Sequence, residues 1–583
     1  MNEAFLSRLV YLSAFFAAGT AGFFLTKRCR KDASVSLRVL TWSLFALPFA
    51  SGGFYTYTAP LLCLPLLYAL WKGGTLRLSC SWPLPALTAV AVAYLLTPLW
   101  AADRGMAIFG FVRFLPVLLF ALNLLALNAE ERRGVFALVP LSGAVMTALS
   151  LALLYLPAVR EYVTVNGRLS GFFEYPNTFS LFLLAGFILS AQKERLRAAD
   201  WICCAVLLVG ILASGSRTSF LLLVLSILLL CIVKRRLQYC LCMGALLVGS
   251  LAVAFAADSL GVLQEASRYT SIRATSGTFL ARLLYYKDAL GIIVRNPFGL
   301  GYWGYRAVLA GVQTGRYAVA FVHNGLLQLL LEVGWLPALL LAFAACGALL
   351  SKRLDAGGRI LLLVLLAHCM LDFDLQFSVI WLLLLPLLNW GNKKERTLRC
   401  GRKVLHTLGV ALCALCLWLG VGDALYQAGA NEACLAVTSF HTEAQLRLLA
   451  QTDDTVRLDA LADSILDKNE ACSLAYSAKA NAAFSRGDIT RMITYKRLAI
   501  ANNRYGIEEY CNYIEMLTAA RNLFLQAGDT ASAEFCRAEL LSLPEQMARI
   551  AAETDPLAAK TGEDSSMTLP EGYAALLAEL DGT

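Results

Sequence analysis

Apolar runs of roughly 15 to 25 residues recur from the N-terminus to about residue 422, and no other feature constrains this chain so strongly. A helix crosses the hydrocarbon core of a bilayer with about 20 residues, so each run is long enough to span a membrane or nearly so. Apolar and aromatic residues make up 58% of the 583 positions and charged residues only 16%, with a mean hydropathy of +0.62. Soluble domains carry about 25% charged residues. A soluble enzyme and a disordered chain are both excluded, and the expected fold class is all-α: a polytopic transmembrane bundle of about 12 to 14 spans.

The charge is divided along the chain. Residues 1–422 hold 37 Lys and Arg against 17 Asp and Glu, whereas 423–583 hold 13 against 24. Two regions follow: a transmembrane domain over 1–422 and a polar C-terminal domain over 423–583. Thirteen of the 17 cysteines lie at or before Cys416, mostly inside apolar runs where Cys serves as a small hydrophobe. Cys434, Cys472, Cys511 and Cys536 fall in the tail, with their pairing open.

Basic clusters set the orientation. KRCRK at 27–31, Lys72 with Arg77, Arg132 with Arg133, KERLR at 193–197, KRR at 234–236, SKR at 351–353 with Arg359, and the cluster from Lys393 to Lys403 belong on the cytoplasmic side. The loops near Arg104, Arg168 and Arg217, a long loop over 258–321, and the C-terminal domain then lie outside. That long loop carries Arg268, Arg273, Arg282, Lys287, Arg295, Arg306 and Arg316 against three acids, an excess the positive-inside rule does not explain. Arg113, Arg168 and Arg217 stand at or near outer helix ends. Charges at membrane depth are costly unless they are paired or line a polar cavity, so arginines converging on one face read as a site.

Arginine forks match phosphate oxygens. No nucleotide sugar is available outside the cytoplasm, so the expected ligand is a lipid-linked pyrophosphate; Walker and GxGxxG fingerprints are absent from the sequence. A histidine beside such a site can take or orient a hydroxyl proton. His323 opens the apolar stretch 322–350 at the outer interface, while His368 reads as a packed residue of a span and Glu332 as structural. Asp372-Phe373-Asp374 gives a DxD spacing at an outer helix end. Its carboxylates are expected to bind substrate or pair with an arginine, and no metal or other cofactor is expected. In RNPFGLGYWGY (295–305), Tyr302, Trp303 and Tyr305 are expected to anchor at the membrane surface, with sugar stacking as the alternative.

The tail is Ala-rich and helix-periodic. Stretches 471–500 and 511–540 align on Gly487-Asp488 and Gly528-Asp529, 41 residues apart. Each reads as helix, turn, helix and resembles a tetratricopeptide repeat, a surface that binds proteins or peptides, with a packed helical cap as the alternative. Residues 555–572 read as a polar linker.

Five stretches, GRLSGFFEYPNTFS (167–180), ASGSRTSF (213–220), ARLLYYKDALGIIVRNPFGLGYWGY (281–305), FVHNGLLQLLLEVGW (321–335) and HCMLDFDLQFSVIW (368–381), occur in an order and spacing that resembles the O-antigen ligase and O-antigen polymerase superfamily. The resemblance covers roughly 80–390 and implies a GT-C-type membrane glycosyltransferase with a large external loop. It implies that Arg217 and Arg282 hold the pyrophosphate of the donor, that His323 lies beside the reacting sugar, and that Arg168, Asn177 and Asn324 occupy recurrent polar positions. Arg113, Arg273, Asp372 and Asp374 join these as substrate-binding candidates.

The expected activity is transfer or polymerisation of a glycan from an undecaprenyl-pyrophosphate-linked donor on the outer face of the inner, cytoplasmic membrane, as a step of cell-surface polysaccharide biosynthesis. Its partners are the donor, a glycan or lipid acceptor, the membrane, and proteins bound through the repeats, with no nucleic acid. Two readings of other classes compete: a flippase or transporter of lipid-linked oligosaccharide, which needs charge distributed through the bilayer depth, and a non-enzymatic assembly factor.

Overall fold

The computed structural model describes residues 3–29, 33–73, 76–78, 81–259, 269, 277–390, 396–398, 402–561 and 565–581. Arg268 and Arg273 lie outside the described residues, as does most of the basic run 391–401. Among the described residues, six helices are long and apolar enough to cross a membrane: Leu6–Arg28, Arg104–Leu125, Glu130–Leu153, Arg217–Lys234, Leu237–Ala256 and His406–Gln427. Shorter apolar helices, among them Pro176–Ala191, Ala198–Ala213, Trp335–Leu349 and Ala356–Cys369, accompany them. The protein is an all-α, multi-pass membrane protein.

The chain forms two compact units, each assembled from separate segments. The first comprises 1–96, 109–273 and 323–438; the second comprises 97–108, 274–322 and 439–583.

Helix Pro176–Ala191 is the centre of the first unit. Its residues are buried except Asn177, and it packs on Val139–Leu153, Ala198–Ala213, Arg217–Lys234 and Ala356–Cys369. Proline suits its first position because the missing N–H and fixed φ cost nothing there. The segment before it turns sharply. Thr164–Val165 pairs antiparallel with Arg168–Leu169 across Asn166-Gly167, both in the left-handed region (φ 50° and 77°), the Asn-Gly hairpin signal that places Arg168. A second short ladder joins Leu76–Leu78 to Arg396–Leu398.

The apolar stretch 322–350 is two helices, Gly325–Val333 and Trp335–Leu349. Gly334 at φ 81° separates them, a conformation that ends a helix and suits glycine. His323 therefore precedes the first of them, and Asn324 is its N-cap, its side chain accepting from the N–H groups of Leu326 and Leu327.

In the second unit, the loop following Ser259 contains helices Gly277–Arg295 and Gly304–Val312, and these pack in one unit with the C-terminal helices. Buried Asp103 accepts from Thr442 Oγ1 (2.9 Å) and the Met106 N–H, and burial raises its carboxyl to about 6. Asp288 accepts from Tyr317 and Thr314, and Lys287 pairs with Asp555, so the stretch read as a polar linker begins with a buried carboxylate. Tyr302 and Tyr305 are buried within this unit, and Trp303 Nε1 donates to Glu443 (2.8 Å). For Tyr302 and Tyr305 this corrects the expectation of membrane anchoring, since rings packed inside protein have no lipid face to insert; Trp303 is half-buried.

The two Gly-Asp turns join helices Ser473–Ser485 to Ile489–Ala501 and Ile507–Gln526 to Thr530–Glu553. Gly487 and Gly528 take φ of 76° and 75°, and Asp488 and Asp529 cap the following helices. The four tail cysteines form no disulfide.

Candidate active site

A polar relay runs through the first unit to His323. Arg168 donates from Nε to the Ser214 carbonyl (2.8 Å) and from Nη2 to Asn177 Oδ1 (2.6 Å). The Asn177 amide donates to Asp372 Oδ2 (2.7 Å), and the Tyr175 hydroxyl donates to Asp372 Oδ1 (2.8 Å). Asp372 Oδ1 lies 3.0 Å from His323 Nδ1. The carboxylate side chain is 2% exposed and the imidazole 21%, so a buried carboxylate backs a partly exposed histidine. An ionised carboxylate only accepts, so Nδ1 carries the proton, and in the neutral ring Nε2 carries the lone pair. A carboxylate holding Nδ1–H fixes both ring and tautomer, which equips Nε2 as an acceptor for a hydroxyl proton. Phe373 meets the imidazole edge to face, with ring centroids 5.1 Å apart.

The neighbouring aspartate serves the other buried histidine. Asp374 Oδ2 lies 2.6 Å from His368 Nδ1, His368 Nε2 lies 3.0 Å from Ser219 Oγ, and Thr178 Oγ1 donates to Asp374 Oδ1 (2.7 Å). Ser219, His368 and Asp374 have no exposed surface. Asp372 and Asp374 thus each engage a histidine, because two helix ends bring both rings against the tripeptide. One expectation changes: Asp374, with no exposed surface, is out of reach of a ligand.

The remaining candidates divide between the units. Arg217 is the first residue of helix Arg217–Lys234, half-buried, behind the N-cap Ser216. Arg113 donates to the Phe54 and Gln376 carbonyls, and Gln376 in turn donates to Glu332 (2.8 Å), which also accepts from Gln328 and Tyr94. Glu332 is thus the buried hub of a hydrogen-bond network, in keeping with its structural reading. Asn324 is occupied as a cap, and its amide donates to the Met370 carbonyl (2.9 Å), which makes it an anchor for His323 and not a ligand contact. Arg282 stands half-buried on Gly277–Arg295 in the second unit. Among the described residues no group of three or more His, Cys, Asp or Glu has metal-holding geometry.

Tyr175, Thr178, Ser219 and His368 were not singled out by sequence reasoning as site residues. All four sit inside the quoted motif stretches, a signal that was available; His368 was passed over because a lone histidine in an apolar span reads as packing.

A helical membrane bundle with a carboxylate-oriented histidine at a helix start defines a class: a multi-pass membrane protein carrying a built polar site. Residues 202–343 match the O-antigen ligase family model, a stretch that contains Arg217, Arg282 and His323. The match supports a membrane glycan-ligating function of the O-antigen ligase type, acting on a lipid-linked glycan. No curated protein matches the chain.

Proposed function

We propose that this protein is a glycosyltransferase that transfers or polymerises a glycan from an undecaprenyl-pyrophosphate-linked donor on the outer face of the cytoplasmic membrane. One observation carries the reading: inside the stretch matching the O-antigen ligase model, His323 is held through Nδ1 by the buried carboxylate of Asp372. In the reaction, an acceptor hydroxyl oxygen bonds to the anomeric carbon while the bond from that carbon to the phosphate oxygen breaks. The hydroxyl proton passes to His323 Nε2, and the electron pair leaves with the lipid pyrophosphate, whose charge Arg217 neutralises, the role that the family resemblance also gives Arg282. Arg168, Asn177 and Tyr175 hold the carboxylate that holds the histidine. The segments that charge alternation assigns to the outer side, around Arg104, in the long loop and in the tail, all contribute to the second unit, which supports their sharing one side. The paired C-terminal helices are a tetratricopeptide-like surface for protein partners.

His323→Ala and Arg282→Ala each abolish glycan transfer with expression and folding intact, and full activity in either variant refutes the proposal. Mass analysis of lipid-linked glycans in a deletion strain distinguishes the acceptors: single repeat units left on lipid identify a polymerase, and accumulated long chains a ligase.

A further inference from the structure

The Ser219, His368 and Asp374 chain has the order of a hydrolytic triad, but its setting rules out that chemistry. All three side chains are without exposed surface, and Ser219 Oγ also receives a hydrogen bond from Ser216 Oγ (3.1 Å), so no substrate carbonyl reaches the hydroxyl. The chain is nonetheless costly. Burying this many polar groups within a membrane bundle is tolerated only because each is bonded, and an apolar core would hold the same helices together as well. Apolar packing lacks direction, and direction is what this chain supplies.

With Nδ1 of His368 donating to Asp374, every bond points the same way. Ser216 donates to Ser219, Ser219 to His368 Nε2, His368 to Asp374 Oδ2, and Thr178 to Asp374 Oδ1. Ser216 is the N-cap of the Arg217 helix and accepts from the Ser219 N–H, so the chain ends on the turn in which Arg217 is the first residue. At its other end, Asp374 is separated by one residue from Asp372, which holds His323. Asn177 and Thr178, also adjacent, secure the two carboxylates from the opposite side. Thus the tripeptide Asp372-Phe373-Asp374 fixes the His323 ring through one carboxylate and the first turn carrying Arg217 through the other.

We infer that His368 is a positioning residue, which through Ser219 locks the turn bearing Arg217 in register with His323, so that the pyrophosphate grip and the proton acceptor are held relative to each other. The inference rests on the proposed transferase reading. It assigns the two relays different kinetic signatures: His323 and Asp372 act on the chemical step, and His368 and Ser219 act on donor binding.

The test uses the full-length protein in detergent with lipid-linked donor, and inorganic pyrophosphate as a competing probe. Ser219→Ala and His368→Asn each raise the donor KM about tenfold and weaken inhibition by pyrophosphate about equally, the size expected for one lost buried hydrogen bond. In both, kcat stays within about threefold, and Ser219→Thr, which keeps the hydroxyl, restores the KM. Two variants at different positions are used so that a failure of one to accumulate in the membrane still leaves the other. Unchanged KM and pyrophosphate inhibition in a folded variant, or loss confined to kcat, overturns the inference while His323→Ala remains dead and the transferase reading stands. A wild-type protein without transfer activity, or an active His323→Ala, removes the transferase reading and this inference with it.

Discussion

Replacing Asp372 by Asn tests the central geometry at nearly constant volume. The carboxylate accepts from His323 Nδ1, Tyr175 Oη, Asn177 Nδ2 and the Phe373 N–H. An amide offers one oxygen to these donors and turns a new N–H₂ group toward at least one of them. Where the new N–H₂ faces the imidazole, the ring keeps a bond only by exchanging its tautomer, which moves the proton to Nε2 and leaves no lone pair for the acceptor hydroxyl; where the amide oxygen faces it, the negative charge that stabilises the imidazolium formed on proton transfer is gone. A hydrogen bond to a charged group contributes about 1.5–3 kcal/mol, and loss of the base itself costs about 10² to 10⁴ in rate. We therefore expect kcat to fall by at least about thirtyfold, the equivalent of about 2 kcal/mol, with little change in donor KM. The assay is steady-state transfer by detergent-solubilised enzyme, normalised to folded protein by thermal melting. A kcat within about threefold of wild type, for protein that melts normally, refutes the claim that Asp372 sets the state of His323.

Two further outcomes follow from the tail and from the carboxylates. His441 is buried, and its Nδ1 accepts the Ala444 N–H at the start of helix Thr442–Leu449; burial, with Arg447 nearby, pushes its pKa down to about 4. The unfolded residue takes a proton near 6.5, so its contribution to stability is full above that pH and is lost as pH falls toward 4, by about 3 kcal/mol. His441→Asn keeps an oxygen for the cap, so its melting temperature should fall less than that of wild type between pH 6.5 and 4; parallel curves would refute this. Comparing the two proteins cancels Asp103, whose raised carboxyl pKa works in the opposite direction, losing stability as pH rises through about 6. Because Asp372 and Asp374 are committed to two histidines, transfer should continue undiminished in EDTA; a loss restored by one divalent cation would show that the pair is released to bind metal.

The sequence alone determined the class of this protein, since hydropathy is a local sum along the chain and the bilayer thickness that it must match is fixed. It also marked His323, Arg217 and Arg282, which lie within one stretch matching the O-antigen ligase model. The partners of these residues were decided only by the tertiary structure. His323 and Asp372 are 49 residues apart and Ser219 and His368 are 149 apart, and each pair meets because particular helix ends abut. Periodicity within a helix carries no record of which neighbour it will have. The sequence therefore could read Asp372-Phe373-Asp374 as a ligand motif and His368 as packing, when packing of the helix ends makes the tripeptide the seat of two histidines.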